Sequence, residues 1–403
     1  MTTALVTLAL VVGAGFATWQ AVRANAQAAL AEQARTKAED ENKRARSNLL
    51  MALEAVDEFS TEIIEDYLSI LPHSEQIEQA IRQKAIDFYE MFSAKNANDP
   101  KLRREMAEAL RKLGLLKWGV NLDEAIVDLR RSVSLHRDLA AESPDSEQAR
   151  YELASSESAL GLVYWRTKRI SEAKQILSDA IIGLEFLVQE FPDNLQYEWT
   201  LAEVENRLGH CCGHARQYAD AKEWYDRSIS RKVRLLPLLR QQPDKWSDYN
   251  YSDDVGYNYR SLAVTHRRRR DFEAAEMCYR EALRWRRCAL RQAPESRHFR
   301  HTLIDALTGY ATLLQSRERN KRHEEIAQIY TEAFDIADPL IEEVPESPQL
   351  YQDYMRLLTE YAGFLHSDED MERAGRLLER VEERARTFGN LLEQLTDESE
   401  RPW

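Results

Sequence analysis

The chain has 403 residues, 31% of them charged, only 13 glycines, and a formal net charge of −14. Such an acidic balance works against general nucleic-acid binding, which needs cations against phosphate. Scarce glycine with abundant charge suits long amphipathic helices rather than a sheet-rich enzyme fold. Four cysteines, Cys211, Cys212, Cys278 and Cys288, are too few for a disulfide framework here and read as small packing residues.

Residues 1–22 contain no charged side chain, and Ala4 to Trp19 is almost wholly apolar. As a helix they would span roughly 33 Å, enough to cross the hydrocarbon of a bilayer. The expectation is a single-pass transmembrane helix and a membrane location, with Trp19 at the interface and Arg23 marking the exit. The alternative is a cleaved signal peptide ending near Ala24-Asn25-Ala26, against which stands the lack of a basic segment before the apolar run.

Residues 23–47 are rich in Ala, Glu, Lys and Arg and predict a helical stalk, a place where a homo-oligomer could form. No sustained apolar heptad supports a stable coiled coil there. Residues 48–100 predict a capping helix pair, the first helix stopping at Pro72.

From residue 101 to 395 the chain repeats itself. The clearest unit runs from Leu160 to Pro192: Leu160, Gly161 and Tyr164 share one helical face, and Ala173, Leu177 and Ala180 recur at helical spacing on a second helix. Leu208, Gly209 and Cys212 with Ala221, Tyr225 and Ser228 repeat the pattern, as do Leu262, Ala263 and His266 with Ala275, Tyr279 and Ala282. Leu113, Gly114, Ala125 and Leu129 fit upstream; Tyr310, Ala311, Ile326 and Tyr330 fit downstream, then Tyr361, Ala362 and Ala374. Prolines 100, 144, 192, 243, 294 and 345 give a second ruler, 44, 48, 51, 51 and 51 residues apart. Two signals agree on six hairpins, none of which can bury its apolar face alone. The predicted fold is all-α: a transmembrane helix and stalk, then an α-solenoid of long helical hairpins, with residues 396–403 as a tail. Repeat packing is assigned to Gly114, Gly161, Tyr164, Ala173, Gly209, Ala221, Tyr225, Ala275, Tyr279 and Ala374.

The Leu-Gly-x-x-Tyr pattern followed by Ala-x-x-x-Leu/Tyr-x-x-Ala resembles tetratricopeptide repeats, with longer helices than the usual unit. More narrowly, NLLMALEAVDEF, QAIRQKAIDFYEMF and NDPKLRREMAEALRKLG resemble the region beyond the membrane helix in bacterial membrane-anchored Ser/Thr protein kinases. That resemblance implies either a stand-alone relative or a fragment, and no kinase activity. Topology stays open: Arg23, Arg35 and Lys37 after the span favour a cytoplasmic carboxy terminus, whereas the kinase resemblance implies the opposite side.

Three motifs invite chemistry. His136-Arg137-Asp138-Leu139 begins like a kinase catalytic loop, but Ser143 stands where the magnesium-binding Asn belongs. His210-Cys211-Cys212-Gly213-His214 offers metal-ligand types, yet adjacent cysteines point about 100° apart on a helix, so no metal and no cofactor is expected. Between Gly256 and His301 there are twelve Arg against five Asp/Glu. By register, Asn206, Arg207, His210, Arg260 and Arg267 are expected to line a groove that clamps the carboxylates of an acidic peptide or protein. The competing role for these arginines is to solubilise long helices. RNA stacking on Trp285 and Phe299 is set aside. The function expected is a non-catalytic, membrane-anchored protein-interaction module; the alternative is the sensor or regulatory region of a Ser/Thr kinase separated from its catalytic domain.

Overall fold

The computed structural model describes residues 75–96, 102–118, 120–241, 248–318, 321–343 and 348–366, with scattered positions between 19 and 56 and Gly375, Glu379 and Arg386. Two compact units divide the chain, residues 1–61 and 62–403. The boundary therefore falls inside the segment expected to be a capping pair. In the first unit the described residues are helical and mostly exposed. Among the described residues no helix is long and apolar enough to cross a membrane; the expected span, residues 1–22, lies outside them except for Trp19.

The second unit is a stack of helices: α1 (Glu75–Asn96), α2 (Arg103–Lys117), α3 (Leu122–Glu142), α4 (Glu147–Arg166), α5 (Ile170–Glu190) and α6 (Leu195–His214). There follow α7 (Tyr218–Leu239), α8 (Asp248–Arg268), α9 (Phe272–Gln292), α10 (Arg297–Glu318), α11 (His323–Glu343) and α12 (Pro348–His366). Helix α1 buries Ile86, Tyr89 and Phe92 and packs on α2. Five hairpins follow, α2–α3 to α10–α11, and α12 opens a sixth. Ala374 and the tail 396–403 lie outside the described residues.

Each hairpin closes where a small residue on one helix meets a large one on the other. A Cβ built on Gly161 would lie 2.5 Å from Leu177, one on Gly114 2.5 Å from Leu129, and one on Gly209 2.8 Å from Tyr225. Ala173, Ala221 and Ala275 are fully buried, and Tyr225 and Tyr279 nearly so. Serines reinforce the seam: Ser132 Oγ donates to the Ala107 carbonyl at 2.7 Å and Ser228 Oγ to that of Ala202 at 2.5 Å.

The ends of the helices are set locally. After the loop prolines, Ser146 and Asn194 cap α4 and α6 by accepting from Ala149 N and Gln196 N, and Ser296 accepts from Phe299 N. The turns inside three hairpins share one geometry, with Lys168, Arg216 and Arg270 left-handed at φ 62°, 60° and 63°. In each, the next residue's N–H reaches back five residues to a helix carbonyl: Arg169 to Tyr164, Gln217 to Cys212, Asp271 to His266. First helices touch their counterparts in the next hairpin (α2 with α4, α4 with α6, α6 with α8), and second helices make no comparable contact. The array therefore curves with the first helices inside.

Because the hairpin seam has no room at Gly161, Gly161→Leu should lower unfolding stability by about 1–3 kcal/mol through overpacking. Gly213, with nothing within 4 Å of its ideal Cβ, should tolerate alanine and gain up to about 1 kcal/mol from helix propensity. Urea denaturation of the two variants checks both signs.

Candidate functional site

The inner face opens into a cavity of about 170 Å³ between α4, α6 and α8. Helical spacing supplies its lining. Leu162 and Trp165 are one turn apart on α4; Glu203, Asn206, Arg207 and His210 form one stripe of α6; Asp254, Tyr257 and Asn258 form another on α8. Lys232 arrives from α7, its side chain 4% exposed and its Nζ 4.8 Å from the centre of the Trp199 ring.

The cavity's shape is fixed by a polar chain through three helices. Asn206 Nδ2 donates to Asn258 Oδ1 at 2.5 Å, Asn258 Nδ2 to Ser228 Oγ at 2.7 Å, and Ser228 to the Ala202 carbonyl. The His210 ring lies 5.3 Å from those of Trp165, Tyr225 and Tyr257. Its Nδ1 is 2.9 Å from the Tyr225 hydroxyl. That phenol is held protonated by burial and makes no other hydrogen bond among the described residues, so it donates to Nδ1 and leaves the ring proton on Nε2. His210 Nε2 and Trp165 Nε1 are both buried without a partner.

Burial, with Arg260, His214, Arg207 and Lys232 all nearby, depresses His210 to about 3. Asp254 is pushed the other way, up to about 6, by partial burial (its side chain stays 41% exposed) with Glu203 and Asp253 adding to it, and the Lys232 ammonium offsets this only in part. Lys232 stands 3.7 Å from Asp254 and Arg207 3.8 Å from Glu203. Arg207 also donates to Ser158 Oγ at 2.5 Å.

Of the five groove residues expected from sequence, Asn206, Arg207 and His210 line this cavity, and Arg260 and Arg267 do not. Arg260 is turned to Asp305 at 2.7 Å, a carboxylate that Arg286 and Arg356 also approach. Arg267 is half-buried at the end of α8, next to exposed Arg268, Arg269 and Arg270. The arginine-rich segment is largely neutralised: Arg287 pairs with Glu332 at 2.6 Å, Arg300 with Glu343 at 2.7 Å, and Arg280 with Glu276 at 2.7 Å. Arg286, 1% exposed, lies 3.7 Å from Asp253 and donates to the Thr302 carbonyl. Glu332 and Asp305 belong to the hairpin after that of their arginines, and Glu343 to the second helix of Arg300's own hairpin, 43 to 45 residues on, so none lies within a helical turn of its partner. Lys232, Trp165 and Tyr257 also line the cavity, but their repeat counterparts differ in type (Gly213 and Arg267 for Trp165, Glu203 and Asp305 for Tyr257, His136 and Arg286 for Lys232), so register alone does not mark them.

Other motifs resolve into packing. His136 is fully buried in α3, 2.8 Å from Ser156 Oγ, and Glu152, 3.9 Å from its Nε2, is held by Arg104. This Ser–His–acid set has no path for a substrate, and Asp138 faces outward from the same helix. Cys211 and Cys212 are buried, with burial pushing the Cys211 thiol up to about 12, while His214 lies exposed against Trp165. Among the described residues no group of three or more His, Cys, Asp or Glu could hold a metal ion. Phe299 is buried and offers no ring to a base.

Residues 259–287, from late α8 through most of α9, match a family model described as tetratricopeptide repeat. No curated protein matches the chain. Among solved structures the chain is similar to BtubC (BKLC) from P. vanneervenii, at 16% identity over 66% of this chain and 88% of that one, with a TM-score of 0.41. It is similar to the apo form of RapI at 10% identity over 83% and 97%, TM-score 0.47. A Rap protein complexed with competence and sporulation factor shares 14% identity over 79% and 74%, TM-score 0.45. The described hairpins form an α-solenoid, and its residues 259–287 are the part that matches the tetratricopeptide-repeat model.

His210 has a folded value below its unfolded one of about 6.5, so the unfolded chain binds the extra proton. Its contribution to stability is complete above pH 6.5 and is lost as pH falls towards about 3. His210→Phe should flatten the decline in denaturation midpoint between pH 7 and pH 4.5, and the imidazole should remain neutral by NMR across that range.

Proposed function

We propose that the chain is a non-catalytic protein-interaction scaffold whose inner face receives a peptide or protein segment. The observation that carries this reading is the cavity on that face: it gathers polar groups from three hairpins and leaves the His210 and Trp165 ring N–H groups without partners among the described residues, an arrangement that costs stability unless something binds. An acidic segment would use the cations Arg207 and Lys232, which line the cavity together with Glu203 and Asp254. Lys232 and Arg207, rather than Arg260 and Arg267, would meet its carboxylates. The uncharged run of residues 1–22 supports tethering of this scaffold to a membrane as a single-pass protein, with the side of the repeats open. The resemblance of segments within residues 48–114 to the region beyond the membrane helix of bacterial Ser/Thr kinases supports a second reading as a kinase's regulatory half; an in-frame kinase domain upstream would establish it.

Titration of the protein with a library of acidic peptides should give binding that weakens as salt rises through physiological strength, where exposed charges are screened over about 8 Å. Lys232→Met with Arg207→Ala should abolish it without loss of helicity by circular dichroism, and equal binding of a scrambled neutral peptide would end the acidic-segment reading. For the tether, the protein should stay in the membrane fraction through a carbonate wash; a mature terminus at Gln27, detected by mass spectrometry, would point to a cleaved signal instead.

A further inference from the structure

The cavity between α4, α6 and α8 is not simply positive. Two ion pairs border it, and both are slack: Lys232 Nζ to Asp254 at 3.7 Å and Arg207 Nη2 to Glu203 at 3.8 Å. Pairs that tie hairpins together a few residues away close to hydrogen-bond length, as in Arg260–Asp305 at 2.7 Å and Arg287–Glu332 at 2.6 Å. Among the described residues, Glu203 and Asp254 accept no hydrogen bond and Lys232 donates none, although Lys232 is buried. The Trp165 and His210 ring nitrogens add two donors without acceptors.

A ligand of one sign could satisfy only half of this. An anion drawn to Lys232 and Arg207 would sit beside the like charges of Glu203 and Asp254, whose side chains are 34% and 41% exposed, and a cation would meet Lys232 and Arg207 in the same way. A ligand carrying both signs closes both pairs. The remaining wall, formed by Leu162, Trp165 and Tyr257, is apolar. At about 170 Å³ the cavity is smaller than the roughly 300–1,000 Å³ usual for drug-sized ligands, so the occupant is compact.

We propose that this cavity binds a free α-amino acid with an apolar side chain: carboxylate towards Lys232, Arg207 and the ring N–H groups, ammonium towards Glu203 and Asp254, side chain on Trp165 and Tyr257. Burial, with Glu203 and Asp253 beside it, raises Asp254 to about 6 despite Lys232, and burial among nearby cations lowers His210 to about 3. This goes beyond peptide docking and gives the inner face a small-molecule signal of its own.

The test is isothermal titration calorimetry of the full chain with leucine and phenylalanine, beside 4-methylpentanoate (no ammonium), isopentylamine (no carboxylate) and N-acetyl-leucine. At least one amino acid should bind, and each single-charge analogue of leucine should bind at least about tenfold more weakly, 1.4 kcal/mol per decade. Lys232→Met, which keeps the stem on Trp199, and Asp254→Asn should each weaken binding by a similar factor, while Arg269→Ala should not. If Lys232→Met does not fold, Asp254→Asn and Trp165→Phe carry the test. Failure of both amino acids to bind at roughly 10 mM, a weak millimolar limit, overturns the proposal. So does equal binding of leucine and 4-methylpentanoate, which would leave a carboxylate site and keep the acidic-peptide reading intact.

Discussion

Everything in the repeat unit depends on how closely two helices of one hairpin can approach. An amphipathic helix of about 20 residues is marginal alone in water, so the hairpin must gain its stability from the seam. Gly114, Gly161 and Gly209 let the backbone come in until Leu129, Leu177 and Tyr225 fill the gap directly. Fully buried alanines on the second helices serve the same approach from the other side. With the seam that tight, the apolar stripe left over can face only the next hairpin, and stacking follows.

Stacking alone would allow neighbouring hairpins to slide. Polar ties between first helices restrain that, and they recur at a separation of about one repeat. Arg104 reaches Glu152, Tyr197 reaches Glu147, Asn206 reaches Asn258, Arg260 reaches Asp305, and Thr312 reaches Glu360. Long-range pairs of this kind, partly shielded from water, hold geometry more than they add stability. Buried Arg286, drawn between Asp253 and Asp305, anchors α9 against both adjoining first helices.

The cavity sits where these ties change character. On one side of it the Arg260–Asp305 pair is closed; at the cavity itself the pairs are slack and ring N–H groups lack acceptors. Among the described residues, this part of the inner face thus combines slack ion pairs with unpartnered ring N–H groups. Lys232 makes the difference: a second-helix residue, it turns inward along Trp199 and brings a cation to a face built from first helices.

The sequence by itself determined the repeat, because its signals are local. The Leu160–Gly161–Tyr164 and Ala173–Leu177–Ala180 spacings lie within a helix turn or two, and the loop prolines and their polar followers mark where each helix stops and starts. The site was legible only in part. Asn206, Arg207 and His210 fall on the inner stripe by period alone, but the fate of Arg260 depends on Asp305, 45 residues away, and a charge count within one helix cannot see it. Only the tertiary structure decided which arginines are neutralised across the repeat boundary and that Lys232, from the outer row, completes the cavity. Periodicity fixes which face a residue occupies; what it meets there is set by the neighbouring hairpin, whose register follows from the close packing of the seams.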